Sequence, residues 1–471
     1  LNITAPELAL VQQVNAVVLL LASKQEARRI QKATNRVSWD TNCNTGECVA
    51  KIVLCSKDGY GAWFVLRLLE EGHSVNYYLK DQKKDCVLGG LVPEPMDKVP
   101  DFAKYDLAIF DVTGMPRVAE EAATQCPTIG DGNLQSELED NRLLGIEVME
   151  ECGINVPPYE HFNDLSDAKK FIRKTNKRYV FKPFTPSGGR EQDTATTYVA
   201  KGTDDLLEYL DKLGNISGGV EFILQEVVQG TEVSTEAYFN GEEFYLINGT
   251  LEEKKFMNDN KGPNTGCAGN LVWFYDQDNP PWIFREGLGR MKDWLKQYNF
   301  RGMLDLNTIV SGTELYGLEW TPRFGYDASA TLFSLITGNL GDFLGSVASG
   351  VRPDTGIMGG FAAGVRLSIP PYPTEKPGLA KEGIPIEGIE EEDVLGCYLY
   401  DACLVKKQLV TAGVNGLVAV PIATGDNIEQ AYARTYGKVD KIHIPDMQYR
   451  TDMECSTKKR YKMLESQGWL R

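Results

Sequence analysis

Histidine is scarce: only three occur in 471 residues, His73, His161 and His443. Imidazole general-base catalysis and multi-histidine metal centres are therefore not expected to dominate. The ten cysteines contain no C-x-x-C pair; Cys43 and Cys48 are five apart and the rest are scattered. That pattern suits free thiols in a reducing cytosol rather than a disulfide framework or a zinc site. Positive charge is in deficit, with 49 Lys and Arg against 66 Asp and Glu, a net charge of −17. This argues against a nucleic-acid or anionic-membrane partner, since both need clustered cations. A phosphate ligand stays open, because a few local cations and backbone N–H groups suffice to grip it. Long apolar runs near the start are also missing. Residues 16–22 are too few to span a bilayer and lack the basic lead-in of a signal peptide. The sequence begins at Leu1 rather than Met, so processing or truncation ahead of it is expected, as is a cytoplasmic location.

The length allows about three domains of about 150 residues. Residues 5–35 carry Leu8, Val11, Val14, Val18 and Leu21 at helical spacing, and a polar linker follows over 38–47. This extension, 1–49, is expected to serve packing or oligomer contact, giving a monomer or a homo-oligomer formed through it. Strands at 50–55, 73–79, 105–111 and 128–130 then alternate with helices, the pattern of a parallel α/β unit over 50–131. Its turn Lys57-Asp58-Gly59-Tyr60-Gly61 could cradle phosphate at a helix N-terminus or serve as a plain structural turn.

The middle unit, 132–352, is expected to hold helices at 134–153 and 164–174, the latter capped by Asp164 or Ser166. Strands at 178–182 and 196–200 flank a Gly/Ser loop and form a flap (about 178–225), with a helix at 204–213 and a strand at 220–226. A hairpin turns at Asn240-Gly241, a helix spans 281–298, and antiparallel strands cover 302–310 and 314–320. A helix over 332–350 closes this unit. Beyond Val351 the chain turns β-rich, a small α+β domain over 353–471, with one helix at 427–436 and a polar C-terminus.

Three segments carry chemistry. The first is a strand ending at Lys182, then the loop Ser187-Gly188-Gly189-Arg190. The second is a strand ending at Glu226, with Val228 and Glu232 beyond it. The third is a strand pair bearing Asp305, Asn307, Glu319 and Thr321, followed by Arg323. Residues two apart on a strand share a face, so this pair assembles oxygen ligands suited to Mg²⁺ held jointly by protein and phosphate. Taken singly, each is an ordinary surface residue; together, in this order, they read as a magnesium–ATP site.

From about Lys51 to about Asp452 the chain resembles the phosphoribosylamine–glycine ligases, an ATP-grasp family of purine synthesis. The resemblance rests on Gly262-Pro-Asn-Thr-Gly266, Glu253-Lys254, Glu319-Trp-Thr-Pro-Arg-Phe-Gly325, Gln225-Glu226 with Gly230-Thr-Glu232, and Val410-Thr-Ala-Gly-Val-Asn-Gly416. It implies an ATP-grasp fold between an N-terminal parallel α/β domain and a small β-rich C-terminal domain. It also implies a C–N ligase using ATP and Mg²⁺, with Mn²⁺ as a substitute, on glycine or a similar carboxylate and an amine. By that resemblance Arg142 and Lys182 contact the phosphates, covered by Arg190 from the Ser187-Gly188-Gly189 loop. Glu226 and Val228 hold adenine, and Glu232 the ribose. Glu319 binds Mg²⁺ with Asn307, Asp305 or Thr321. Lys254, Asn264, Thr265, Gly266 and Arg323 face the acyl group, and Gly59 and Gly61 lie on the amine side.

There are departures. Arg142 and Arg190 stand where the family has lysines, and Thr321 where it has a metal-binding Asn. The segments Lys57–Trp63 and Val112–Pro116 differ from the family's loops on the phosphoribosylamine side. Three readings follow: a phosphoribosylamine–glycine ligase, an ATP-grasp ligase for another carboxylate and amine, or a silent scaffold with 1–49 as a docking arm.

Overall fold

The computed structural model describes residues 49–183, 197–213, 221–354, 356–374 and 379–471. The helix expected at 5–35, and Ser187, Gly188, Gly189 and Arg190, lie outside them. Lys51–Ser56 (β1) is buried along almost its whole length, as suits a strand covered on both faces. It is central in a parallel sheet ordered β2-β1-β3-β4, with β2 Ser74–Leu79, β3 Leu107–Phe110 and β4 Thr128–Ile129. Helices α1 (Ala62–Glu70) and α2 (Pro116–Ala123) fall between the strands.

The helix expected over 134–153 is two helices, α3 (Asn133–Asp140) and α4 (Arg142–Glu151). The break is at Asn141, whose side chain accepts a hydrogen bond from Leu144 N at 3.2 Å and so caps α4. Arg142 becomes the first residue of a new helix rather than mid-helix.

A small antiparallel sheet follows, ordered β5-β8-β6-β7: β5 Tyr159–Phe162, β6 Tyr179–Pro183, β7 Tyr198–Val199 and β8 Phe222–Glu226. Helices α5 (Leu165–Thr175) and α6 (Thr203–Leu213) pack on it around a core of its own, including Ile172, Phe181, Leu206, Leu210 and Phe222. Asp164, not Ser166, caps α5 by accepting from Asp167 N at 2.9 Å.

The rest is organised by a large antiparallel sheet. Its strands are β9 Thr231–Phe239, β10 Phe244–Glu252, β13 Gly269–Phe274, β14 Gly302–Ser311, β15 Glu314–Thr321, β16 Phe361–Val365, β17 Leu367–Ser368, β19 Cys397–Leu399 and β22 Leu417–Gly425. The order runs β15-β14-β9-β10-β13-β16-β22-β17, with β19 also on β22. The β9–β10 turn forms at Asn240-Gly241: Asn240 Oδ1 accepts from Glu242 N and Glu243 N, and Gly241 takes φ +97°. The division expected at 352/353 falls within this sheet, since β13 pairs with β16 from Gly269↔Val365 to Trp273↔Phe361. Two smaller sheets sit beside it, β11 (Lys255–Met257) with β12 (Lys261–Asn264), and β18 (Glu382–Pro385) with β21 (Gln408–Ala412) and β20 (Cys403–Val405).

Helix positions differ from expectation in three further places. The stretch 281–298 is α7 (Trp282–Glu286) and α8 (Lys292–Gln297), separated at Gly287, whose φ and ψ of −107° and −113° are not helical. The stretch 332–350 belongs to α9 (Tyr326–Phe333) and α10 (Leu340–Ser349), the second capped by Asn339. After α11 (Ile428–Val439), the expected polar tail is a fourteen-residue helix, α12 (Met453–Ser466).

That tail is anchored by Trp469, 1% exposed, stacked on Trp282 at 4.5 Å and donating from Nε1 to Gly312 O at 2.9 Å. Trp469→Ala removes the stack and the hydrogen bond and leaves a cavity, so a loss of about 3–5 kcal/mol is expected in urea unfolding. A loss below about 1 kcal/mol would show that the C-terminus is not part of the cooperative unit.

Candidate functional site

Register builds the site. Asn307 on β14 lies opposite Glu319 on β15 and Ser234 on β9, and Asp305 lies opposite Thr321 and Glu236. Paired residues of antiparallel strands point to one face, so one face of the sheet bears oxygen-rich side chains where a core sheet would carry aliphatic ones. Ser234 Oγ donates to Asn307 Oδ1 at 3.0 Å.

Cations converge on Glu319. Arg142, at the start of α4, donates from Nη1 to Glu319 Oε2 at 3.3 Å and from Nε to Pro183 O at 3.1 Å. Lys182, at the end of β6, is 6% exposed and donates to Leu318 O at 3.0 Å. Lys254, just past β10, pairs with Glu232 at 2.6 Å. Burial opposes ionisation of Glu319, but Lys182, Lys254 and Arg142 outweigh it and hold its carboxyl below the usual range. Lys182 is pushed down to about 8, by burial first and by Arg142 and Lys254, against the pull of Glu319 and Glu232. Burial likewise opposes the charge of Lys254, yet Glu232, Glu252 and Glu319 raise it. A cleft opens here, lined by Glu139, Arg142, Ile146, Lys182, Leu318 and Glu319.

Three cations around one carboxylate attract a polyanion. The oxygen set of Glu319, Asn307 and Thr321 fits Mg²⁺ only when phosphate oxygens complete the shell. Accordingly, no group of three or more His, Cys, Asp or Glu able to hold a metal alone occurs among the described residues.

Arg323 follows β15. Its Nε and Nη2 donate to Glu139 Oε1 at 3.2 and 3.0 Å and its Nη1 to Phe324 O at 3.1 Å. Its guanidinium lies 4.7 Å from the Tyr326 ring centroid. Three of the five guanidinium N–H groups are thereby used, and two remain for a ligand anion. Asp305 beside it is held well above the usual carboxyl range by burial and by Glu236 and Glu252, which Lys254 and Arg323 only partly offset.

Other expected residues take varied positions. Glu226 is bonded by Lys177 at 2.5 Å, and Val228 is half-buried. Thr265 donates from N and Oγ1 to Lys254 O at 2.7 and 3.1 Å, fixing the backbone of that lysine, while Asn264 and Gly266 are exposed. The N–H of Gly59 goes to Ser56 Oγ at 2.8 Å and that of Gly61 to Asp111 Oδ2 at 2.7 Å. This turn is thus closed on the protein's own buried carboxylate, which burial and Asp58 push up to about 7. Above the turn, Tyr60 stacks on Tyr400 at 4.1 Å.

Two contributors escaped sequence reading. Glu139, which holds Arg323, sits among other acidic residues of α3 and carries no local signal. Arg460 arrives from α12, where its guanidinium donates to Glu232 O at 3.4 Å and Glu252 O at 2.8 Å.

Residues 144–328 match the family model of the phosphoribosylglycinamide synthetase ATP-grasp (A) domain. The chain is similar to the phosphoribosylamine–glycine ligases. It is 24% identical over 333 residues to that ligase of Streptococcus pneumoniae, covering 68% of this chain and 76% of the other. For the Thermotoga maritima ligase the figures are 26% over 338 residues, 68% and 78%. A crystal structure of the Thermotoga maritima phosphoribosylamine–glycine ligase matches with TM-score 0.65 at 19% identity, covering 85% of this chain and 99% of that one. The biotin carboxylase domain of Hydrogenobacter thermophilus 2-oxoglutarate carboxylase, solved with MgADP, ADP and bicarbonate, matches at TM-score 0.59 and 14% identity, covering 85% and 92%. The fold is thus ATP-grasp. No described helix is long and apolar enough to cross a membrane.

The depressed pKa of Lys182 makes a signed prediction. The unfolded chain binds its proton up to an ordinary pKa near 10.5, the empty folded site only to about 8. The penalty is full below pH 8, and stability rises with pH through the window from 8 to 10.5. Lys182→Met should relieve it, raising ligand-free stability at pH 7 by up to about 3 kcal/mol and flattening that window in pH-dependent urea melts. ATP affinity should fall by about tenfold or more. A variant less stable at pH 7, with ATP affinity intact, would remove Lys182 from the phosphate site.

Proposed function

We propose that the protein is an ATP-dependent carboxylate–amine ligase that joins glycine to 5-phosphoribosylamine through an acyl phosphate. One observation carries this reading: ionised Glu319 ringed by Arg142, Lys182 and Lys254, with Arg323 just past the end of the same strand. Arg142 and Lys182 would grip the phosphates of ATP, and Glu226, Val228 and Glu232 the nucleoside. Glu319 with Asn307, and Thr321 weakly, would hold Mg²⁺ between protein and phosphates; Mn²⁺ could replace it on the same hard oxygens. The ion, when bound, neutralises phosphate charge.

A carboxylate oxygen of the acid attacks the γ-phosphorus, and the bond from that phosphorus to the bridging oxygen of ADP breaks. The amine then attacks the acyl carbon, phosphate leaves, and the amine proton passes to solvent or phosphate. The free N–H groups of Arg323 would steady the acyl oxygens in both steps. Lys254, held by Glu232 and by Thr265 through its backbone, would stay charged beside the transferring group. Positioning and charge neutralisation carry the rate, so no nucleophile–histidine pair is needed. Small-molecule substrates and a cytoplasmic setting complete the proposal. One observation favours a second reading, a ligase for a different amine: the Gly59–Gly61 turn spends its amides on Ser56 and Asp111 instead of offering them to a ribose phosphate.

The test is ADP release from Mg·ATP with glycine, with and without freshly made phosphoribosylamine. Turnover that needs both substrates and disappears in Glu319→Ala is expected. ATP binding without that turnover would move the assignment to another amine, and absence of ATP binding would leave only a scaffold.

A further inference from the structure

Glu236 and Asp305 are an anomaly in this sheet. They are direct partners across β9 and β14, so their Cβ atoms stand about 5 Å apart on one face. Like charges placed opposite each other on adjacent strands are destabilising, and burial in poor solvent deepens the cost. Glu236 is only 4% exposed, and its Oε1 has no hydrogen-bond partner; Asp305 Oδ1 is likewise buried without one. The cations that feel this pair are committed elsewhere: Lys254 is bonded to Glu232, and Arg323 to Glu139 and Phe324 O. Two carboxyls buried opposite each other can ionise together only beside a further positive group, which the side chains bonded around them do not supply.

The position says what that group is. The Glu236–Asp305 rung is two residues along both strands from the Ser234–Asn307 rung, which continues to Glu319, a separation of about 7 Å. Arg323, with N–H groups to spare, lies alongside. An acid held by its carboxylate on Arg323, next to the phosphate site, projects its other end onto the carboxylate pair. A divalent ion would need more oxygen donors than two side chains give, whereas an ammonium is satisfied by a few acceptors.

We propose that Glu236 and Asp305 bind the ammonium of the acyl substrate and so restrict the enzyme to amino acids over plain carboxylic acids. The inference rests on the ligase reading above. The pair touches substrate without taking part in phosphoryl transfer, so it sets specificity and position.

Calorimetric titration of the full-length protein tests it, with Mg²⁺ and a non-hydrolysable ATP analogue present and glycine or acetate as titrant. Wild type should bind glycine at least about tenfold more tightly than acetate. Asp305→Asn and Glu236→Gln should each lose about tenfold or more in glycine affinity while acetate and the ATP analogue bind as before. Both variants should melt no lower than wild type, since each replaces a buried carboxyl that is costly to ionise with a neutral amide of the same shape; should one fail to fold, the other carries the test. Equal binding of glycine and acetate by wild type overturns the inference, and so do variants that keep glycine affinity. A divalent ion that binds wild type but not these variants, without nucleotide, also overturns it. Analogue binding with neither acid overturns it while leaving the ATP half of the ligase reading intact. Failure of wild type to bind the analogue sinks the ligase reading itself.

Discussion

The structure depends on gathering opposite charges, partly withdrawn from water, on one face of a β-sheet. Glu319 in the company of Arg142, Lys182 and Lys254 is costly to assemble, because each ion gives up hydration. What makes it tolerable is reciprocity: every member is bonded to something rigid. Arg142 is fastened to Pro183 O, Lys182 to Leu318 O and Lys254 to Glu232. The carboxylate is thereby ionised and the lysines are aimed before any ligand arrives. Such prior orientation is how a fixed polar environment contributes to phosphoryl transfer.

The supporting shell comes from the C-terminal part of the chain. Glu253, buried and adjacent to Lys254, accepts from Ser456 Oγ at 2.6 Å and pairs with Arg460 at 3.2 Å and Arg450 at 3.4 Å. Arg450, 1% exposed, is itself paired with Asp452 at 2.8 Å. These contacts tie α12 to the strand that delivers Lys254, and Arg460 to the carbonyls of Glu232 and Glu252. The tyrosine stack over the Gly59–Gly61 turn does the same for the N-terminal sheet. The site is therefore braced by stretches far apart in sequence.

Much of this was legible in the amino-acid order. Two-residue alternation placed Asn307 with Asp305, and Glu319 with Thr321, and Asn240-Gly241 announced its hairpin. Register, however, is a pairwise property. Nothing local says that Asp305 meets Glu236 rather than a neutral residue, and Glu236 drew no notice among the polar positions of β9. Helix breaks were hidden for a related reason: the Asn141 cap interrupts backbone continuity without disturbing the apolar rhythm on either side. Helix α12 was missed because few of its positions are buried, Met453, Thr457 and Leu464 among them, so its pattern is that of a solvated segment. Arg460 was lost with it.

The small sheet β5-β8-β6-β7 has an interior of its own, apart from the main core. A layer packed that way behaves mechanically as a jaw. Its displacement leaves that interior intact and exchanges polar links such as Lys182 to Leu318 O and Arg142 to Pro183 O. Because those links belong to the cations that face the phosphates, whatever draws Arg142 and Lys182 toward a bound nucleotide also loosens the latch. Opening and grip are then two settings of the same pair of residues.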